Sequence, residues 1–290
     1  TWSSSKYLTP QAFADVTLSF STAAEGQRFA PVWGLDQAWI SEQNLRKGIN
    51  HMGSENIGIG RIAFRTTNAL IGDTALTSSQ IATLRERVNL FNTVGRQLPL
   101  TLTADQEAGT ASYYLTGGRA NADRWAAMIN AHVAWLKKNT QHPVAGISPF
   151  NEPDYWTKEE GATVALQQTV AQQLKSSYPL CAEAAIVGGN TLNNDKALEW
   201  YTGGKDYYDW GNTHQLAGSF DTFAGFYAQL AADGKVGYVC DVNPDSVAKA
   251  LTNFISMTPD ERRQTFARNI QTEKQKYAWS HMTEKILNDN

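Results

Sequence analysis

The segment Ser148-Pro149-Phe150-Asn151-Glu152-Pro153-Asp154 sets a carboxyl group between an amide and a proline, with Tyr155 and Trp156 directly after it. A carboxyl group gives and takes a proton near neutral pH when partial burial and a neighbouring carboxylate raise its pKa, so Glu152 is a candidate general acid and base. The same tripeptide also suits a strand closed by proline, with its Glu capping the next helix. Arg61 and Arg65 share one face of an alternating run, and Arg65, nearer the end of that run, is the better placed to hold a carboxylate; a surface ion pair is the plainer use. Asp105 and Glu107 follow another such run, where they are candidates for binding hydroxyls or are simply solvated. Asn190 follows a third and is a lesser site candidate, an ordinary turn being the plainer reading.

Aromatic residues surround these groups. The chain has nine Trp, eleven Tyr and eleven Phe, many beside Gly, Asn and Asp rather than in amphipathic stripes. The C–H face of a pyranose stacks on such rings while its hydroxyls need converging polar partners. Trp33, Asp36 and Trp39 read as the wall of such a site, although Trp39 suits a core equally well. Tyr155 and Trp156 are further stacking candidates beside Glu152.

All of these residues follow short β-type runs, and the elements that position them repeat. Runs at 32–35, 57–64, 99–103, 144–149, 185–188, 211–214 and 236–240 end in polar residues and alternate with amphipathic helices. That rhythm predicts an α/β fold, a parallel barrel of the TIM type, whose loops after the strands carry the site. Thr77 with Gln80 and Thr157 with Glu160 form capping-box pairs, Asn121 caps a helix, and 219–232 reads as a sixth crossover helix. No eighth run follows the seventh, and 16–21 is the one candidate for it, so the barrel is expected to be incomplete or closed atypically. After Asp241 the rhythm changes to two proline-started helices, at Asn243-Pro244 and Thr258-Pro259. The expected organisation is a barrel over 1–242 and a helical segment over 243–290 packed on it.

Asn151-Glu152-Pro153 after the fourth strand resembles the acid/base motif of the clan of retaining (β/α)8 glycoside hydrolases. The resemblance runs over about 30–234 and rests also on Trp33-Gly34-Leu35-Asp36-Gln37-Ala38-Trp39 and Thr213-His214-Gln215. It implies that Glu152 protonates the leaving glycosidic oxygen and then activates water, that Asn151 bonds the sugar 2-hydroxyl, and that His214 stands near the nucleophile; a lone His is otherwise a structural hydrogen-bonding group. The resemblance also implies a Glu nucleophile after the seventh strand. This chain has Asp241 there, whose side chain is shorter by one methylene, about 1.5 Å at most. From about Gly237 the tail is similar instead to the C-terminal helices of two-domain nucleotide-sugar glycosyltransferases, without their upstream glycine motif.

Composition narrows the classes further. Lys plus Arg number 25 against 28 Asp plus Glu, a formal charge of −3, which gives no footprint for nucleic acid. No apolar run spans a membrane, and the first residues lack a signal peptide's charged-then-apolar order, which suggests a secreted or periplasmic protein already processed. The histidines outside the site, at 51, 132, 142 and 281, and the cysteines Cys181 and Cys240 show no metal-ligand spacing, so neither metal nor organic cofactor is expected. The expected partner is a poly- or oligosaccharide, and the expected activity is cleavage of its O-glycosidic bonds. A barrel that only binds carbohydrate is the alternative, and a glycosyltransferase the third reading.

Overall fold

The computed structural model describes residues 32–94, 97–106, 109–156, 162–240, 256–258 and 260–261. The chain divides at Val32 into residues 1–32 and 33–290, and the architecture below is that of the second unit.

Among the described residues seven parallel strands carry the fold: β1 (Gly34–Asp36), β2 (Ile59–Arg65), β3 (Leu100–Asp105), β6 (Val144–Ile147), β7 (Ala185–Asn193), β8 (Trp210–Ala217) and β9 (Val236–Cys240), with β4 (Leu115–Thr116) and β5 (Arg119–Ala120) forming a separate antiparallel pair. In the large sheet each strand pairs in parallel with the next in sequence, in the order β1-β2-β3-β6-β7-β8-β9. A doubly wound sheet reverses its order at a switch point. This one never does, which is the winding of a barrel, with every strand's carboxyl end at the same rim. The expected TIM-barrel-like fold and all seven runs are found. The boundary expected at 242, the candidate strand at 16–21 and the helix opening at Asn243 lie outside the described residues.

The helices α1 (Glu42–Met52) and α7 (Asn194–Thr202), like the crossover helices below, start where the sequence offers oxygen caps, and the short α6 (Pro179–Ala182) starts at a proline. In α2 (Ser78–Phe91) Thr77 and Gln80 make the reciprocal capping box, and Asn121 accepts from the Arg124 amide to start α3 (Ala122–Asn139). Helix α5 (Val164–Ser177) corrects the expectation: Thr163 caps it, accepting from the Leu166 amide at 3.1 Å, so it starts later than Thr157, which lies outside the described residues. Ser219 caps α8 (Phe220–Ala232). Thr258 and Glu261 bond reciprocally at 2.7 and 3.2 Å, as the tail sequence suggested.

The core lies between sheet and helices, where Ile62, Phe64, Leu100, Leu102, Ile147 and Ile186 meet the apolar stripes of α2, α3 and α5. One aromatic group matters for the site. Trp125 of α3 stacks on Phe150 at 5.0 Å and lies 5.3 Å from Trp156, whose ring is 5.7 Å from Phe150. Both flanks of Glu152 are thereby anchored in the core.

Candidate functional site

The segment after β6 is held down residue by residue. Trp125 Nε1 donates to the Pro149 carbonyl at 2.7 Å, Asn190 Nδ2 donates to the Phe150 carbonyl at 2.6 Å, and Gln106 Nε2 donates to the Asn151 carbonyl. Glu152 then adopts a left-handed backbone with φ of 42°, and its amide donates to the Asn190 carbonyl at 2.9 Å before α4 (Pro153–Trp156) begins. Left-handed backbone at a non-glycine residue costs about 1–3 kcal/mol and persists only where the surroundings impose it. Here four groups from three elements do so, and the Glu152 side chain, 8% exposed, is delivered to His214 on β8.

Glu152 Oε1 lies 2.7 Å from His214 Nδ1, and the other ring nitrogen, Nε2, lies 2.9 Å from Asn190 Oδ1. Asn190 Oδ1 also accepts from Asn212 Nδ2 at 2.6 Å, while Asn190 Nδ2 reaches Thr103 Oγ1 at 3.2 Å besides the Phe150 carbonyl. The residues Thr103, Asn151, Glu152, Asn190, Asn212 and His214 are all buried, from the three strands β3, β7 and β8 and the loop after β6.

A second set stands on β1 and β2. Arg61 NH2 donates to Asn151 Oδ1 at 2.6 Å, and its NH1 pairs with Asp36, which also accepts from the Ala38 amide at 2.7 Å. The Arg61 guanidinium sits 5.0 Å from the Trp39 ring centroid. The carboxylate-holding arginine is therefore Arg61, not Arg65 as expected. Arg65 is exposed and lines a cavity of about 410 Å³ with Gln37, Trp39, Glu86, Arg87 and Asp105. Asp105 also departs from its expected role: it is buried and ion-paired with Arg87 Nη2 at 3.3 Å, and burial lowers the pKa of Arg87 despite that carboxylate.

The expected stacking residues divide. Trp33 and Tyr155 are largely exposed and Trp39 is partly so, whereas Trp156 belongs to the aromatic core and offers no open face. The sequence reading preferred Arg65 to Arg61 as the anchor, favoured a turn at Asn190 over a place in the site, and missed Asn212, Gln106 and Thr103 altogether. For Asn190 the signal was Gly188-Gly189 ahead of it at a strand end; for Asn212 it was its place two residues before His214.

On β9, burial pushes the Tyr238 phenol up, and its hydroxyl lies 3.5 Å from Ser148 Oγ. Cys240 pairs in register with His214, and Asn212 Nδ2 lies 3.1 Å from its sulfur. Asp241 follows directly in sequence and lies outside the described residues. Asp154, whose pKa burial raises, accepts from the Leu192 and Asn193 amides at 2.8 and 3.0 Å and so ties α4 to β7. Among the described residues no group of three His, Cys, Asp or Glu side chains is placed to hold a metal ion, and no helix is long and apolar enough to cross a membrane.

No family model matches the chain, and no curated protein sequence matches it. Among solved structures, a GH30 endoxylanase from Clostridium papyrosolvens C71 is similar at a TM-score of 0.50 and 18% identity, over 71% of this chain and 54% of that one. An endo-beta1,6-glucanase gives 0.49 at 15% identity, over 72% and 57%, and a mandelate racemase/muconate lactonizing protein from Herpetosiphon aurantiacus gives 0.41 at 10%, over 72% and 46%. The chain thus spans about half the length of these solved chains. At such identities the endoxylanase likeness speaks for the fold, which is the barrel-like architecture also built by glycoside hydrolases.

Proposed function

We propose that the protein hydrolyses O-glycosidic bonds of a poly- or oligosaccharide with retention of configuration, Glu152 serving as acid and base. The observation that carries this reading is the buried contact of 2.7 Å between Glu152 and His214 at the carboxyl rim of a parallel barrel-like sheet. A carboxyl group sharing a proton with an imidazole there can protonate a departing glycosidic oxygen. Asp241 attacks the anomeric carbon as the alcohol leaves, forming a glycosyl ester; Glu152, now ionised, takes a proton from water, which displaces Asp241. The register of β9 supports that partner, because Cys240 neighbours His214 and the chain continues directly into Asp241.

Asn151 has the complementary task. Arg61 occupies its Oδ1, which leaves Nδ2 as the donor for the sugar 2-hydroxyl, and Trp39 beside Arg61 offers a ring face to the same sugar. Trp33 and Tyr155 are the outer stacking surfaces, and the released oligosaccharide is the product. The route to a secreted or periplasmic location fits a polymeric substrate.

The test is hydrolysis of a panel of aryl pentosides and hexosides by the wild type and by Asp241→Ala, with and without azide. Turnover that disappears in Asp241→Ala and partly returns with azide, as a glycosyl azide of inverted configuration, is the expected result. Turnover that survives the substitution overturns Asp241 as nucleophile. A wild type that cleaves no member of the panel overturns the hydrolase reading in favour of a barrel that only binds sugar.

A further inference from the structure

Asn190 is the extra residue of a β-bulge. Gly189 pairs with Asn212 and Thr191 with Thr213, so Asn190 has no partner of its own in the ladder, and its φ is 57°. A bulge re-aims the side chain it carries. This one turns the Asn190 amide between His214, Asn212, Thr103 and the Phe150 carbonyl.

The orientation of that amide follows from its partners. A backbone carbonyl only accepts, so the atom 2.6 Å from the Phe150 carbonyl is the amide nitrogen, and the atom facing His214 Nε2 is the oxygen. An amide oxygen only accepts, so Nε2 carries a hydrogen. Its partner nitrogen, Nδ1, faces Glu152. With Nε2 protonated, the contact between Nδ1 and Oε1 is favourable only while one more proton lies between them, either on Glu152 or on an imidazolium. If that proton leaves, one of two contacts turns repulsive: a bare Nδ1 against a carboxylate, or, in the other tautomer, a bare Nε2 against the Asn190 oxygen. Water would accommodate either state, but all three residues are buried.

From this geometry we infer that Asn190 is a positioning residue that fixes the tautomer of His214 and thereby keeps the shared proton on the Glu152–His214 pair to higher pH. The inference rests on the acid/base reading of Glu152 only for its consequence in catalysis; the tautomer stands without it. Other charged and titratable groups stand around the pair. Asp154 of α4 acts on Glu152 through its charge, Arg61 of β2 bonds Asn151 beside Glu152 and pairs with Asp36 of β1, Cys240 of β9 lies in register with His214, and the hydroxyls of Tyr238 on β9 and Tyr227 on α8 lie against Ser148 and the Tyr238 carbonyl. They are unchanged between wild type and the variants below, so differences between those proteins report the Asn190 carbonyl.

Two substitutions that tolerate left-handed backbone give opposite results. In Asn190→Gly the acceptor is gone and Nε2 can lose its hydrogen, so the pair loses its proton at a pH lower by about one unit. In Asn190→Asp a carboxylate faces Nε2 and the pair keeps its proton to a pH higher by about one unit. The primary readout is a two-bond proton–nitrogen correlation spectrum of the full chain with labelled histidine, assigned through His214→Gln and titrated with pH. Wild type shows His214 with Nε2 protonated throughout, and the titration midpoints move in opposite directions in the two variants. A His214 that is Nδ1-protonated in the wild type, or midpoints that move the same way or not at all, overturns the proposal. The alkaline limb of kcat/KM for glycoside hydrolysis follows the same shifts. Shifts in the spectra without any turnover would retain the tautomer and remove the hydrolase reading, so the two fail separately. A merely structural Asn190 would lower the unfolding midpoint of both variants and leave the titration of His214 in place.

Discussion

Glu152 is held in place by groups that lie far from it in sequence. His214 takes its carboxyl, Asn190 takes its amide, and Arg61 reaches Asn151 next door. Arg61 is the residue on which the second half of the site depends, because it neutralises Asp36 and orients Asn151 together. Arg61→Ala leaves that carboxylate unpaired and is expected to cost about 3 kcal/mol in urea unfolding, with kcat/KM falling at least about tenfold as Asn151 loosens. Arg65→Ala, at an exposed residue, is expected to change stability by no more than about 0.5 kcal/mol. The pair of measurements separates two arginines that the sequence could not. Alternation puts both on one face of β2, and only the position of Asp36 and Asn151 across the sheet selects one. The place of Asn151-Glu152-Pro153 just after a strand was legible, since the proline sits where a strand must end. Asn190 was read mainly as a turn, because Gly188-Gly189 marks an irregular strand but does not say which residues of β8 the register shift brings against its amide.

At the scale of elements, the site is built by strand ends that stop being regular. The β7 bulge needs Gly189 in front of Asn190: its φ is 80°, and a Cβ there would stand 2.5 Å from the Asn212 carbonyl oxygen. Gly189→Ala should therefore destabilise by about 2 kcal/mol and displace the bulge, so that activity drops by more than the loss of folded protein explains. Thermal unfolding and kcat on the same preparation check this. The seven strands and the starts of α2, α3 and α8 could be read beforehand because alternation and oxygen caps are local signals. Thr163 shows where such reading fails: the pattern Thr157 with Glu160 pointed to one start, and the cap that the fold uses for α5 is a Thr six residues on that carries no capping-box partner pattern.

Across the whole molecule, the sequential parallel sheet brings Asp36, Arg61, Glu152, Asn190 and His214 to one rim although they span 178 residues, from Asp36 to His214. The layer behind the sheet has its own pH dependence. His132 of α3 is fully buried on Phe64, with ring centroids 4.4 Å apart, and burial lowers its pKa from 6.5 to about 4. Its Nδ1 donates to the Met128 carbonyl at 2.8 Å, which opposes that lowering in part, while the buried Nε2 has no hydrogen-bond partner among the described residues, as suits a neutral ring. The unfolded chain binds this proton at higher pH than the folded one, so the contribution is fully present above about pH 6.5 and is lost as pH falls toward 4. The loss amounts to about 3 kcal/mol, and His132→Phe should flatten the fall in Tm across that window. A wild-type Tm that does not fall there more steeply than the variant's contradicts the burial argument.

The central claim is that Glu152 delivers the proton to the leaving group. Its most direct measurement is kcat/KM of wild type and Glu152→Gln on aryl glycosides that differ only in leaving-group pKa. The account predicts a loss of about 10²–10⁴-fold for phenyl glycosides and little loss for dinitrophenyl glycosides, whose departure needs no proton. An equal loss across all leaving groups, or none at all, would contradict it.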